Sequence, residues 1–175
     1  MPMRIQVGIS ACLAGHRVRY DGRDQRSALL ERELAPLFEL IPLCPEVGAG
    51  MAVPRPPIQI IQGRAGLRVC EVDHHTHDVT EQLLCYAQSA IEQWGSELGG
   101  FVFKSRSPSC GIDDTPWFDE PGVQQLSVGA GLFAGMLMER FPQLPVIDER
   151  RLELPGQCEA FIRRVREYDA CRVSG

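Results

Sequence analysis

The sequence predicts an α/β fold, a mostly parallel sheet flanked by helices with one small hairpin. Apolar runs of strand length alternate with amphipathic helical stretches throughout the chain. Two of those runs are separated by little more than Gly63 and Gly66, the pattern of a hairpin. No internal repeat and no Pro/Gly/Ser linker divides the 175 residues, a length usual for one domain, so residues 1–175 are expected to form a single unit.

Taken in order, Arg4 to Ile9 reads as the first strand, followed by a polar loop from Ala14 to Gln25. Ser27 suits the cap of a helix through Leu29, Leu30, Leu34 and Leu37, which Pro36 ends early. Phe38 to Leu43 is a second apolar run, and Cys44 to Pro57 is too rich in Pro and Gly for a helix or a sheet interior. Ile58–Ile61 and Leu67–Val72 form the hairpin. Asp78 and Glu81, at capping-box spacing, open a helix to about Leu98. Its apolar face carries Leu83, Leu84, Ala87, Ala90, Ile91 and Trp94. Gly99 and Gly100 stop that helix, and Phe101–Phe103 is the next strand. A long loop, Ser105 to Ser127, leads to a helix over Gly131–Phe141, a strand over Pro145–Ile147 and a last amphipathic helix over Gln157–Cys171.

Hydrophobic residues at 44% and charged residues at 23% exclude a disordered or collagen-like chain. No apolar run has the ~18–20 residues of a membrane span, and Met1 to Ser10 lacks the layout of a secretion signal. The expected compartment is the cytoplasm, with no membrane partner. A net charge of −5 argues against a general polyanion binder. Seven cysteines cannot all pair internally, and cytoplasmic thiols stay reduced for burial, catalysis or metal binding.

Ligands of parallel α/β sheets sit beyond the carboxyl ends of the strands. Cys12 follows the first strand, Cys44 the second, and Cys110 lies beyond the strand ending at Phe103. All three are therefore expected at one edge, either as a shared site or as three unrelated buried thiols. Cys70 and Cys85 read as small buried hydrophobes, and Cys158 and Cys171 fit no ligand spacing. His74, His75 and His77 read as a surface turn without a completed zinc set. Trp94 reads as core, whereas Trp117 has the option of stacking on a base.

Ser10-Ala11-Cys12-Leu13-Ala14-Gly15, Val18-Arg19-Tyr20-Asp21-Gly22, Cys44-Pro45-Glu46-Val47, Pro54-Arg55-Pro56-Pro57 and Lys104-Ser105-Arg106-Ser107-Pro108-Ser109-Cys110-Gly111 resemble, in order, the motifs of the thiouracil desulfidase family. The resemblance covers nearly the whole chain. It implies a Rossmann-like domain and a [4Fe-4S] cluster held by Cys12, Cys44 and Cys110, with one iron open to the sulfur of a thiolated pyrimidine. The stretch from Gly129 to Pro142 is similar to a branch whose members often carry a second domain and act on 4-thiouridine in transfer RNA. This chain stops at Gly175, which leads to the expectation of a small-molecule thiolated pyrimidine or its nucleotide rather than intact transfer RNA. After the third cysteine the loop reads Ile112-Asp113-Asp114-Thr115-Pro116-Trp117, where many stand-alone members have Tyr-Asp-Gly-Thr-Phe.

Under that resemblance, Glu46 is the expected general base for water, and Ser107 and Ser109 are candidates to bond cluster sulfur or the leaving sulfide. Arg19, Arg55, Lys104 and Arg106 are the expected clamp for a nucleotide phosphate. The expected activity is hydrolytic removal of sulfur from thiolated uracil or thiouridine monophosphate, with release of hydrogen sulfide. Three thiolates and an open position also describe catalytic zinc, so a zinc-dependent pyrimidine hydrolase is the alternative, and a non-catalytic iron–sulfur sensor or nucleotide-binding module is the third reading. The sequence carries no mark of an oligomeric state.

Overall fold

The computed structural model describes residues 3–175, so Met1 and Pro2 of the leading segment and of the expected domain lie outside the described residues. The strands are β1 Gln6–Ser10, β2 Glu39–Leu43, β3 Ile58–Gly63, β4 Gly66–Glu71, β5 Leu98–Phe103, β6 Thr115–Phe118, β7 Gln125–Gly129 and β8 Val146–Asp148. The helices are α1 Pro45–Gly48, α2 Thr80–Trp94, α3 Leu132–Arg140, α4 Glu149–Leu152 and α5 Gln157–Ser174.

Four strands form a wholly parallel sheet in the order β2-β1-β5-β8. Its central strands are buried on both faces, as parallel strands under helices must be. On one face Val7, Ile9 and Val102 pack with Phe161 and Val165 of α5 and with Leu30 and Leu34, which lie in a single turn of π-helix. On the other, Phe101 and Phe103 pack with Ala87 and Ile91 of α2 and Phe133 and Leu137 of α3. The alternation of Phe101, Val102 and Phe103 thus feeds two cores from one strand. This is the expected α/β architecture.

Beyond the one-turn helix α1, which falls in the Cys44–Pro57 stretch expected to hold none and begins on a proline suited to the first helical position, three expectations need correction. Ser105–Ser127 is not one loop, because β6 and β7 pair antiparallel and β6 joins β3 in parallel. The hairpin β3–β4 is therefore half of a second four-stranded sheet, in the order β4-β3-β6-β7. The strands were hidden because β7 has no buried residue and hence no alternation to read. Second, Gly99 and Gly100 lie inside β5 rather than at a helix stop. A Cβ on Gly99 would come within 2.5 Å of Ile5, and one on Gly100 within 2.8 Å of Val165, so the pair lets α5 approach the sheet closely. Third, Leu84 and Cys85 are exposed. The buried stripe of α2 is Leu83, Ala87, Ala90 and Ile91, and those two residues fall off it.

The expected capping box of α2 does not form either, since the cap is Val79 and Asp78 Oδ1 accepts instead from the Thr80 amide at 2.8 Å, and the helix ends at Trp94 rather than near Leu98. Other expectations hold. Ser27 Oγ accepts from the Leu30 amide at 3.4 Å. Cys70 and Cys158 are buried and Trp94 packs partly buried on the α2–α3 core. His74, His75 and His77 lie in the turn before α2, with His77 bonded to Glu71 at 3.1 Å. Among the described residues no helix is long and apolar enough to cross a membrane.

Candidate functional site

Every strand of the parallel sheet delivers residues to the same edge. β1 ends at Ser10 and runs into a 3-10 turn, Ala11–Ala14, that holds Cys12. β2 ends at Leu43, and Cys44 is the extended residue that starts α1. β5 ends at Phe103 and releases the loop Lys104–Cys110, and β8 is followed by Glu149 at the head of α4. The chain moves outward from β1 to β2 in one direction and from β5 to β8 in the other. Cys12 and the Cys110 loop therefore flank the switch point between β1 and β5, where such sheets bind ligands.

There the structure encloses a cavity of about 270 Å³. Cys12, Cys44, Cys110, Glu46, Ser107, Arg19, Arg55, Lys104 and Arg106 all line it, with Val18, Leu43, Pro45 and Ile58 as apolar wall. Nine of the ten predicted site residues meet in this one space; the tenth, Ser109, is buried behind Glu46. Trp117 does not line it. Its indole is held in the second sheet, with Nε1 donating to the Ala130 carbonyl at 3.2 Å.

Local chemistry fixes the Cys110 loop. Ser107 Oγ accepts from the amides of Ser109 at 3.2 Å and Cys110 at 3.1 Å, a serine turn that aims the thiol. The Ser107 carbonyl accepts from the Gly111 amide and from Thr115 Oγ1. Gly131 packs so tightly here that a Cβ would lie 2.6 Å from Ser109 and 2.8 Å from the Cys110 nitrogen. Arg106 sits in the left-handed region with φ 61°, which disfavours a side-chain-bearing residue, and Asp114 takes its amide at 2.8 Å.

Burial pushes the Cys12 thiol up to about 11 and the Cys110 thiol well above its ordinary value, and it raises Cys44 too. Lys104 and Arg19 oppose the rise at Cys12, and a hydrogen bond with Ser10 opposes it at Cys110. A charged Cys44 thiolate would raise Cys12, and charge on Cys44 and Cys12 would raise Cys110. Thiols of this kind ionise readily only beside added positive charge, and metal coordination removes their protons outright. Among the described residues no imidazole lines the cavity, and no three His, Cys, Asp or Glu side chains close on one point as a single ion requires. Three soft donors set around a space suit a polynuclear thiolate-bound group.

The cations divide into two kinds that sequence does not distinguish. Arg55 and Glu46 form an almost fully buried pair at 2.9 Å. Lys104 Nζ donates to Glu149 at 2.7 Å and to the carbonyl and hydroxyl of Ser105. Arg19 and Arg106 remain: Arg19 Nε is buried without a hydrogen-bond partner, its nearest carboxylate oxygen 3.9 Å away on Asp21. Arg106 makes no ion pair among the described residues and is exposed at the cavity mouth. Ser10 and Glu149 are the residues that sequence reasoning missed. Ser10 was legible as the neighbour of Cys12, whereas nothing local marks Glu149.

Glu149 latches the base of the loop, accepting from Lys104 Nζ and from the amide and hydroxyl of Ser105, each at 2.7 Å. Burial alone would raise its carboxyl, but the bonds from Lys104 and Ser105 outweigh burial and hold it below the ordinary value. Such a group contributes stability in full above its unfolded-state pKa and loses it as pH falls through the depressed folded value. Glu149→Gln is thus expected to cost about 2 kcal/mol at pH 7 and much less at pH 3, read as Tm at the two pH values. An equal loss at both would show that the latch does not depend on charge.

A model of the 2-thiouracil desulfurase family matches residues 7–149. The uncharacterized protein YbbK of Bacillus subtilis (strain 168) is 32% identical over 110 residues, covering 59% of this chain and 71% of that protein. Among solved structures, the [4Fe-4S]-dependent thiouracil desulfidase TudS superposes with a TM-score of 0.67 at 28% identity, covering 93% of this chain and 99% of that one.

Proposed function

The chain belongs to the 2-thiouracil desulfurase family, and from that premise we propose that it hydrolyses thiolated uracil or thiouridine monophosphate to the oxo compound and hydrogen sulfide. The observation that carries this is the meeting of Cys12, Cys44 and Cys110 with Glu46 in one cavity at the switch point of the sheet. The exchange of C=S for C=O by water moves no electrons, so the reaction needs no reductant.

The three cysteines are the residues that would hold the [4Fe-4S] cluster named for the solved relative. When bound through three thiolates, such a cluster supplies an open iron, a soft Lewis acid for the thione sulfur. The [4Fe-4S] dependence of the solved relative, with a cavity wall that offers three thiols and no imidazole, supports this group over the zinc-dependent hydrolase. Membership of a desulfurase family supports an enzyme over a sensor.

Glu46 takes the proton of the attacking water. Ser109 donates to Glu46 Oε2 at 3.2 Å and so orients the carboxylate from behind. Ser107 accepts two amides through Oγ and keeps its own hydroxyl proton to donate toward leaving sulfide. Val18, Leu43, Pro45 and Ile58 flank the pyrimidine plane and limit water to the reacting face. Arg19 and Arg106, the two cations not held by a close carboxylate, receive the phosphate of a nucleotide substrate.

Anaerobically reconstituted protein is to be assayed on thiouracil, thiouridine and thio-UMP at fixed ionic strength, with uracil product and sulfide both measured. kcat/KM is expected to be highest for thio-UMP. Arg19→Ala or Arg106→Ala should raise KM for thio-UMP about tenfold, the size of one charge-assisted bond, with kcat and the thiouracil constants unchanged. Equal kcat/KM on all three substrates would remove the phosphate contact. Efficient action on intact transfer RNA would overturn the small-molecule substrate, and absence of sulfide from every substrate would overturn the activity.

A further inference from the structure

Arg55 is almost fully enclosed, with a side chain only 5% exposed. Most of its donors are already used. Nε and Nη2 both reach Glu46 Oε1, at 3.0 Å and 2.9 Å. Nη2 also donates to the Val18 carbonyl at 2.8 Å, and Nη1 to the Ala52 carbonyl at 3.1 Å. Its backbone amide donates to the Tyr20 carbonyl at 2.8 Å.

From this geometry we infer that Arg55 is a positioning residue for Glu46 rather than a substrate ligand: it fixes Oε1 and leaves Oε2 as the oxygen that takes the proton. The inference rests on the role proposed above for Glu46. Oε1 accepts the Nε–H and lies within 3.0 Å of two nitrogens of the cationic guanidinium, whereas Oε2 faces only the neutral Ser109 hydroxyl, so the more basic oxygen is Oε2. Turning Arg55 toward a phosphate would strand a buried carboxylate without its partner, which is strongly unfavourable. The same guanidinium ties the turn holding Glu46 to the Val18–Tyr20 segment that carries Arg19. It therefore sets the proton acceptor and one free cation of the cavity in register. A lysine cannot do this, because a compact ammonium lacks the planar fork that reaches two directions at once.

The test is a double-mutant cycle on the reconstituted holoenzyme, with iron content and near-ultraviolet circular dichroism measured on every variant. Arg55→Lys is expected to lower kcat about ten- to hundredfold on both thiouracil and thio-UMP, the usual result of a small misplacement, while KM and iron per chain stay within about twofold. In a Glu46→Gln background the same substitution should change the single-turnover rate by less than about twofold, since no acceptor is left to position. Arg55→Gln is carried alongside and should follow the same pattern if lysine disturbs folding. A selective rise in KM for thio-UMP would make Arg55 a phosphate ligand and overturn the inference. An equal loss of rate with and without Glu46 would reduce it to a structural residue, also overturning it. Full activity in Glu46→Gln alone would instead overturn the role of Glu46, an outcome seen before Arg55 is altered.

Discussion

Alanine at Cys12, Cys44 or Cys110 is expected to abolish iron retention after anaerobic reconstitution, and turnover with it, while alanine at any of the other four cysteines leaves both intact. The reason is positional. The three thiols line one cavity, and charge on Cys44 acts on both Cys12 and Cys110. Cys70 is buried in β4 of the second sheet, Cys158 is a buried residue in the first turn of α5, and Cys85 and Cys171 are exposed on helices. Removing any one ligand leaves two thiolates to hold the group. Cys70→Ala and Cys158→Ala serve as matched controls, since each deletes a buried thiol at a small packing cost of about 1 kcal/mol. Full iron in Cys44→Ala, or lost iron in Cys70→Ala or Cys158→Ala, would sink the assignment.

Why the three thiols were legible in sequence, and their surroundings less so, follows from the range of the interactions. Cys12 and Cys44 come just after strands and Cys110 in the loop that β5 releases, each strand's apolar run is itself a local signal, and a parallel sheet sends all such residues to one edge. Ion pairing across the fold leaves no local mark. Lys104 and Glu149 are 45 positions apart, and their meeting depends on β5 and β8 being neighbours. Arg55 and Glu46 are 9 positions apart, yet an irregular loop gives no period from which to infer contact. Four loop cations thus looked alike in sequence, and the fold separates two that are held by close carboxylates from two that are not. The second sheet escaped for a related reason, because Leu126 and Val128 of β7 are exposed and give no face to recognise. Gly99 and Gly100 carried a helix-stop signal that packing against α5 overrides.

Glu46→Gln is expected to leave the fold and the iron content unchanged and to lower kcat by about 10²–10⁴-fold, the usual contribution of a general base. Glutamine keeps the length of the side chain and an oxygen for Arg55 and Ser109 to donate to, so the local network survives. What it loses is the proton acceptor. The site is built to deliver a carboxylate at this point: Pro45 opens α1 and Glu46 falls in its first turn, where the helix end favours negative charge. Both carboxylate oxygens are held, one by Arg55 and the other by Ser109. A group fixed from two sides loses little entropy in the reaction, which is how positioning converts into rate. The loss should appear in kcat and kcat/KM alike, since the proton transfer belongs to the transition state and not to substrate binding. Glu46→Asp, which keeps the charge but withdraws it by one methylene, should fall between wild type and Glu46→Gln. An unaltered rate in Glu46→Gln at full iron occupancy would mean that another group activates the water.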